Sequence, residues 1–76
     1  MNKQRRNALQ DIMEQLEELK SSLEDIQSEE EEYRDNMPEN LQGGEKYEKA
    51  EDAVENIEAA INSIDDAISS IDAAAE

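Results

Sequence analysis

Carboxylates are the residues of this chain that could do chemistry, and they come in pairs and runs. Residues 29–32 are four consecutive Glu, and adjacent acidic pairs occur at residues 17–18, 24–25, 51–52 and 65–66. Two carboxyl groups can serve as general acid and base when one of them is desolvated, and several together can bind a divalent cation. A helix leaves such neighbours in water and cannot wrap its own carboxylates around one ion. We therefore expect neither catalysis nor a metal site from them.

The residue types that are missing narrow the chemistry further. The chain has no Cys and no His, so disulfides, thiolate sites, the commonest metal ligand and the usual proton-transfer group are all absent. Gly43 and Gly44 lack the companion residues of a phosphate-binding loop. We expect a protein that is not an enzyme, with no catalytic residue, no metal and no cofactor.

The charge points to the kind of partner. With 22 acidic and 7 basic residues, the formal net charge is −15. This charge opposes direct binding to nucleic acid or to an anionic membrane, and its complement is a protein with a basic surface. Alternatively, the acidity only keeps a small protein soluble. Because no secretory leader and no bilayer-length apolar run is present, we expect a cytoplasmic protein.

The order of the apolar residues predicts the elements that position these groups. From Leu9 to Met37, and again from Tyr47 to Ala75, apolar residues recur at alternating steps of three and four, broken once by Glu30. This heptad repeat, lettered a to g with Leu9 and Tyr47 at a, places apolar residues at a and d. We predict one all-α domain spanning residues 1–76, an antiparallel two-helix coiled-coil hairpin with helices over about 4–35 and 45–74 and a loop over about 36–44.

The register of the hairpin follows from matching the a residues of one helix with the d residues of the other. Pairing Tyr33 with Tyr47 matches every layer and places Glu30 against Ala50. The e positions then bring basic residues of helix one to acidic residues of helix two. The expected ion pairs join Arg6 to Asp72, Lys20 to Glu58 or Asp65, and Arg34 to Glu51.

The g positions of helix two predict an interface between copies. Small side chains widen the apolar stripe and allow another helix to approach closely. We expect two hairpins to form a four-helix bundle, as a homodimer or a higher homo-oligomer, although Ala is also simply a strong helix former. The predicted interface residues are Ala53, Ala60, Ala67 and Ala74.

Two further groups are candidate contacts for a partner. The first is an acidic face formed by Glu24, Asp25, Glu29, Glu31, Glu32, Glu48, Asp52 and Glu55. The second gathers aromatic, amide and basic residues at the loop end, where they could equally close the last layer and cap the helices. It comprises Tyr33, Arg34, Asn36, Met37, Asn40, Leu41, Gln42, Lys46 and Tyr47.

The stretch NMPENLQGGEKYEKAEDA, residues 36–53, with the Ile/Ala repeat that follows, resembles small acidic helical-hairpin proteins encoded by bacteriophages and mobile elements of Gram-positive bacteria. No activity of that group transfers to these residues. The resemblance implies a phage context, in which short acidic proteins often occupy the nucleic-acid-binding surfaces of host enzymes.

The sequence is compatible with three functions. The first is a protein-binding module, a phage-type inhibitor of a basic or nucleic-acid-binding surface on a host protein, including a defence protein. The second is a structural or assembly helper that acts only by oligomerising through its Ala-rich flank. The third is an oligomer that sequesters a small nucleotide-like ligand near the loop.

Overall fold

The computed structural model describes all 76 residues, Met1–Glu76, and contains two long helices and no strand. Helix α1 spans Lys3–Asp35 and helix α2 spans Glu45–Ala74, with a short 3-10 helix at Glu39–Leu41 between them. Helix α1 begins one residue before the expected position 4. The fold is a helical hairpin.

The ends of the helices follow from local chemistry. The Asn2 side chain accepts a hydrogen bond from the Arg5 amide at 2.8 Å and caps α1. Pro38 lacks an amide hydrogen and follows the end of α1, while Gly43 adopts φ +90°, a conformation that side chains disfavour. Together these residues reverse the chain before α2 begins.

The helices run antiparallel in a rod whose Cα dimensions are 59 × 15 × 12 Å. Lys20 of α1 contacts Asp65 of α2, with Nζ and Oδ1 2.8 Å apart. Gln27 lies against Val54, within one residue of the predicted layer that joins Ile26 to Val54. The expected levels of the two helices along the rod are therefore correct.

Helix α2 turns its predicted face toward α1. Ala50 at d and Ile61 at a are 1 % and 5 % exposed, and Val54, Ile57 and Ile64 are half-buried. Half-buried a and d residues extend this face to Ala75. The heptad repeat thus identifies the contact face of α2 throughout its length.

Helix α1 is rotated relative to the prediction. Its d residues, expected in the core, are exposed: Ile12 by 45 %, Leu19 by 58 %, Ile26 by 51 % and Tyr33 by 51 %. The e residues take their place beside the a residues. The contact face of α1 is therefore a and e, and the residues brought inward are Met13, Lys20, Gln27 and Arg34.

The e residues have side chains that can line a contact face. Met13 is an apolar side chain and is 7 % exposed. Lys20 and Gln27 have long aliphatic stems that lie along the interface, while their polar ends reach Asp65 and Glu58. An a/d face would bury more apolar surface, but an a/e face gains these polar contacts.

The core of the hairpin contains very few buried residues. Only Met13, Ala50 and Ile61 are buried among 76 residues. A chain of this size has difficulty offsetting its conformational entropy with so small a core. No helix combines the length and the apolar character needed to cross a membrane.

Candidate interaction surfaces

One side of the hairpin is apolar along most of its length. With 100° of rotation per residue, the d positions of α1 point about 80° away from the contact face, and the g positions of α2 point to the same side. We call this side the apolar flank. It consists of Ile12, Leu19, Ile26 and Tyr33 from α1 and Ala53, Ala60, Ala67 and Ala74 from α2.

Large and small residues alternate across the apolar flank. The register set by Gln27 and Val54 brings Leu19 level with Ala60 and Ile26 level with Ala53, to within about half a helical turn. Each bulky side chain of α1 thus stands beside an Ala of α2. The flank has a row of ridges next to a row of shallow depressions.

The borders of the apolar flank are almost free of charge. Charged residues make up 38 % of the chain, yet the positions that border the flank are mainly small and polar. Glu29 and Lys49 are the charged exceptions, and both lie toward the loop end. The uncharged border residues are Ala8, Gln15 and Ser22 on α1 and Asn56, Ser63 and Ser70 on α2.

The opposite side of the hairpin carries the carboxylates, and we call it the acidic flank. The Gln27 side-chain amide crosses it and donates a hydrogen bond to Glu58 Oε2 at 2.7 Å. Lys20 bridges to Asp65 on the same side. The acidic flank consists of Glu17, Glu24 and Glu31 from α1 and Glu51, Glu58, Asp65 and Asp72 from α2.

Cations on this side are held by carboxylates of the chain itself. A hydrogen bond from Lys20 to Asp65 raises the pKa of the Lys20 ammonium, and burial opposes this effect. A hydrogen bond to Asp35 likewise raises the pKa of Arg34, and the Nε to Oδ1 distance is 3.0 Å. These two cations face the seven carboxylates of the acidic flank, so the flank has a net negative charge.

Two expected ion pairs do not form. Arg34 binds Asp35, its neighbour in the chain, rather than Glu51. Arg6 makes no ion pair with Asp72, since both lie near the open ends of the helices, where side chains stay in water. The pair of Lys20 with Asp65 is confirmed.

The predicted acidic face does not lie on one surface. Glu24 and Glu31 belong to the acidic flank, Asp25 and Glu32 lie on the back of α1, and Glu29 borders the apolar flank. On α2, the corresponding residues point outward between the acidic flank and the back of the helix. These are Glu48, Asp52 and Glu55, all exposed.

The loop end holds an open cleft of about 580 Å³. Tyr33 and Leu41 are about half exposed there, and Met37 is half-buried. Glu45 and Lys46 contribute the only charges. The lining comprises Tyr33, Asn36, Met37, Pro38, Leu41, Gly44, Glu45 and Lys46.

Some loop-end residues stabilise the end of α1 or the loop itself. At the end of α1 the Asn36 backbone amide donates to the Glu32 carbonyl at 2.9 Å, and the Met37 amide donates to the Arg34 carbonyl at 3.3 Å. The Gln42 side chain donates to the Met37 carbonyl at 3.2 Å and closes the loop. Asn40 makes no such contact and is exposed at the tip. Tyr47 is half-buried and does not line the cleft, whereas Tyr33 does.

No three acidic side chains converge in a way that could hold a metal ion. The heptad pattern places the row from Ile12 to Tyr33 in the core and therefore does not predict this exposed surface. The long side chains at the e positions, from Met13 to Arg34, were the signal that a second contact face was available. Their stems can line an interface as well as Leu can.

In comparisons with known proteins, no family profile, curated protein or solved structure matches the chain.

Proposed function

We propose that this protein is a non-enzymatic binding module that pairs as a four-helix bundle and occupies a basic, nucleic-acid-binding surface of another protein. The observation that carries the proposal is the division of the hairpin into an apolar flank and an acidic flank. One side has the character of an interface between copies. The other is left free for a partner of opposite charge.

The linear density of charge supports a nucleic-acid-like role. A charge of −15 over a 59 Å rod is about one negative charge per 4 Å, close to the spacing of about 3.4 Å per phosphate along one DNA strand. Two hairpins side by side would carry about one charge per 2 Å, near the value of about 1.7 Å for duplex DNA. A paired bundle matches the duplex better than a single hairpin does.

The partner is a protein that handles nucleic acid. The resemblance of residues 36–53 to hairpins encoded by phages suggests a bacterial host protein, including one of a defence system. The chain would act there as a phage-type inhibitor by competing with nucleic acid. Cytoplasmic action in the host cell belongs to the same proposal.

Affinity capture from a bacterial lysate at low salt tests this function. The bait is the native chain, and the control carries Glu17→Gln, Glu24→Gln, Glu31→Gln and Glu55→Gln, which leave the apolar flank and the contacts between the helices intact. We expect the native bait alone to retain nucleic-acid-binding proteins, and duplex DNA to release them. Retention of the same proteins by both baits, or of none by either, would contradict the proposal.

A second candidate is an assembly helper that acts only through the apolar flank. The exposure of Leu19 and Ile26 favours it, because isolated large apolar residues are common on surfaces but a continuous row is not. In that case Ala60→Glu and Ala67→Glu abolish activity, while neutralising the acidic flank leaves it unchanged. The first proposal requires both sides.

A third candidate function is the sequestration of a small nucleotide-like ligand in the loop-end cleft. The aromatic ring of Tyr33 and the ammonium of Lys46 favour it, since a base could stack on the ring. Against it, Glu45 lies beside the single cation and would repel a phosphate. Calorimetry with purine and pyrimidine nucleotides tests it, and the absence of heat at millimolar concentration removes it.

A further inference from the structure

We infer that the apolar flank is the interface of a two-fold dimer in which both loops lie at the same end, so that α1 of each copy rests on α2 of the other. This inference rests on the proposed pairing and assigns its face, its register and its direction. If the copies paired only through the Ala residues of α2, the exposed row of large apolar residues on α1, from Ile12 to Tyr33, would remain uncovered. The occupant of the flank is a second copy of this chain.

The extent of the flank is sufficient for a specific dimer. Ile12 and Tyr33 are separated by about 32 Å along α1, and two helices present a width of about 20 Å. The contact would bury about 600 Å² on each copy, or about 1,200 Å² in all, which reaches the lower range of stable interfaces. The apolar residues left exposed by the small core would then be covered.

Shape determines the direction of pairing. A two-fold axis parallel to the rod places Leu19 of one copy over the level of Ala60 in the other, and Ile26 over Ala53. Each ridge then enters a depression. An axis perpendicular to the rod would instead set Leu19 against Ile26 and Ala60 against Ala53, so that one helix pair is held apart while the other requires close approach.

Charge favours the same direction. With both loops at one end, Glu29 lies level with Lys49 of the second copy, and Arg5 near the open end lies level with Glu76. In the other arrangement Glu29 meets Gln15, and Lys49 meets Ser63, so neither residue meets an opposite charge. Lys49 already pairs with Glu45 of its own helix at 3.1 Å, whereas Glu29 lies level with an opposite charge only when the loops are together.

This arrangement has consequences for both candidate partner surfaces. The acidic flanks point away from each other on opposite sides of the bundle, so one dimer presents two of them. Tyr33, at the end of the apolar flank, approaches Lys46 of the second copy, where the ring and the ammonium can interact. Each loop-end cleft is then bordered by residues from both chains.

Distances between spin labels in the intact dimer test the inference. Because the chain has no Cys, one substitution introduces one label. Ser21→Cys is exposed near the middle of α1 and reports pairing in either direction, whereas Asn40→Cys is exposed at the loop tip and reports direction. Neither residue belongs to the apolar flank.

We expect both labels to give distances of about 20–35 Å, the width of a four-helix bundle with its label arms. A short Ser21 distance with an Asn40 distance near the 59 Å length of the rod would overturn the inference and leave the dimer in place. Absence of any distance at Ser21, with an 8.6 kDa species by light scattering, would overturn the dimer itself. The capture experiment still reports separately on the acidic flank.

Discussion

The side-chain nitrogen of Gln27 donates to two acceptors on the facing helix, the backbone carbonyl of Val54 at 3.2 Å and the carboxylate of Glu58 at 2.7 Å. One residue therefore fixes both the level of the two helices and the rotation of α1. Its neighbour Ile26 is 51 % exposed. The contacts at Gln27 link the small core of the hairpin to its exposed apolar flank.

Removing the amide of Gln27 should therefore weaken the hairpin. We expect Gln27→Ala to lower the free energy of unfolding by about 1 kcal/mol, the usual net value of a hydrogen bond of this kind. The matched control is Gln10→Ala, at an exposed position of the same helix. Equal thermal unfolding curves for the two variants, at the same protein concentration, would show that the contact contributes nothing.

The ion pair between Lys20 and Asp65 should give stability a dependence on alkaline pH. Because the pKa of Lys20 is raised above 10.5 in the folded chain, its contribution is complete below that value and is lost as pH rises through the raised pKa. The difference in melting temperature between the native chain and Lys20→Gln should thus shrink above pH 10.5. Lys20→Arg, which stays charged, should not show this loss.

Adjacent Ala residues provide a matched test of the apolar flank. Ala60 lies on the flank and Ala59 on the back of α2, and both are exposed. We expect Ala60→Glu to weaken self-association at least tenfold by placing a charge in an apolar contact, and Ala59→Glu to have little effect. Sedimentation measures both. An equal effect of the two substitutions would point to net charge rather than to the face.

Salt should act in opposite directions on the two flanks. Two copies with a charge of −15 each repel one another, so added salt should strengthen the dimer. The same salt should weaken binding of a basic partner. Titration from 50 to 500 mM NaCl, followed by light scattering and by binding to a captured partner, separates these effects. A dimer that dissociates with rising salt would contradict an apolar interface.

A charge exchange tests the direction of pairing by a second route. Glu29→Lys and Lys49→Glu should each weaken the dimer by about 0.5 kcal/mol, since the pair is exposed, and the double variant should recover that loss. Glu32→Lys, on the back of α1, serves as the control for Glu29→Lys. If the double variant is no tighter than the single ones, Glu29 and Lys49 do not meet.

The heptad order alone determined much of this structure. Alternating steps of three and four dictate two long helices, Pro38 and Gly43 dictate the reversal, and counting layers back from Tyr33 and Tyr47 gives the level of each residue along the rod. These features depend on local geometry and on spacing along the chain. The contact face of α2 was also predictable, because its Val and Ile residues all fall at a and d.

The rotation of α1 was decided by tertiary structure. That helix has two usable faces beside its a residues, one with Ile12, Leu19, Ile26 and Tyr33, and one with Met13, Lys20, Gln27 and Arg34. Apolar periodicity favours the first, but Asp65, Glu58 and the Val54 carbonyl, which belong to the other helix, favour the second. Such contacts join residues far apart in sequence, so a heptad pattern cannot weigh them. The division into an apolar and an acidic flank exists only once both helices are in place.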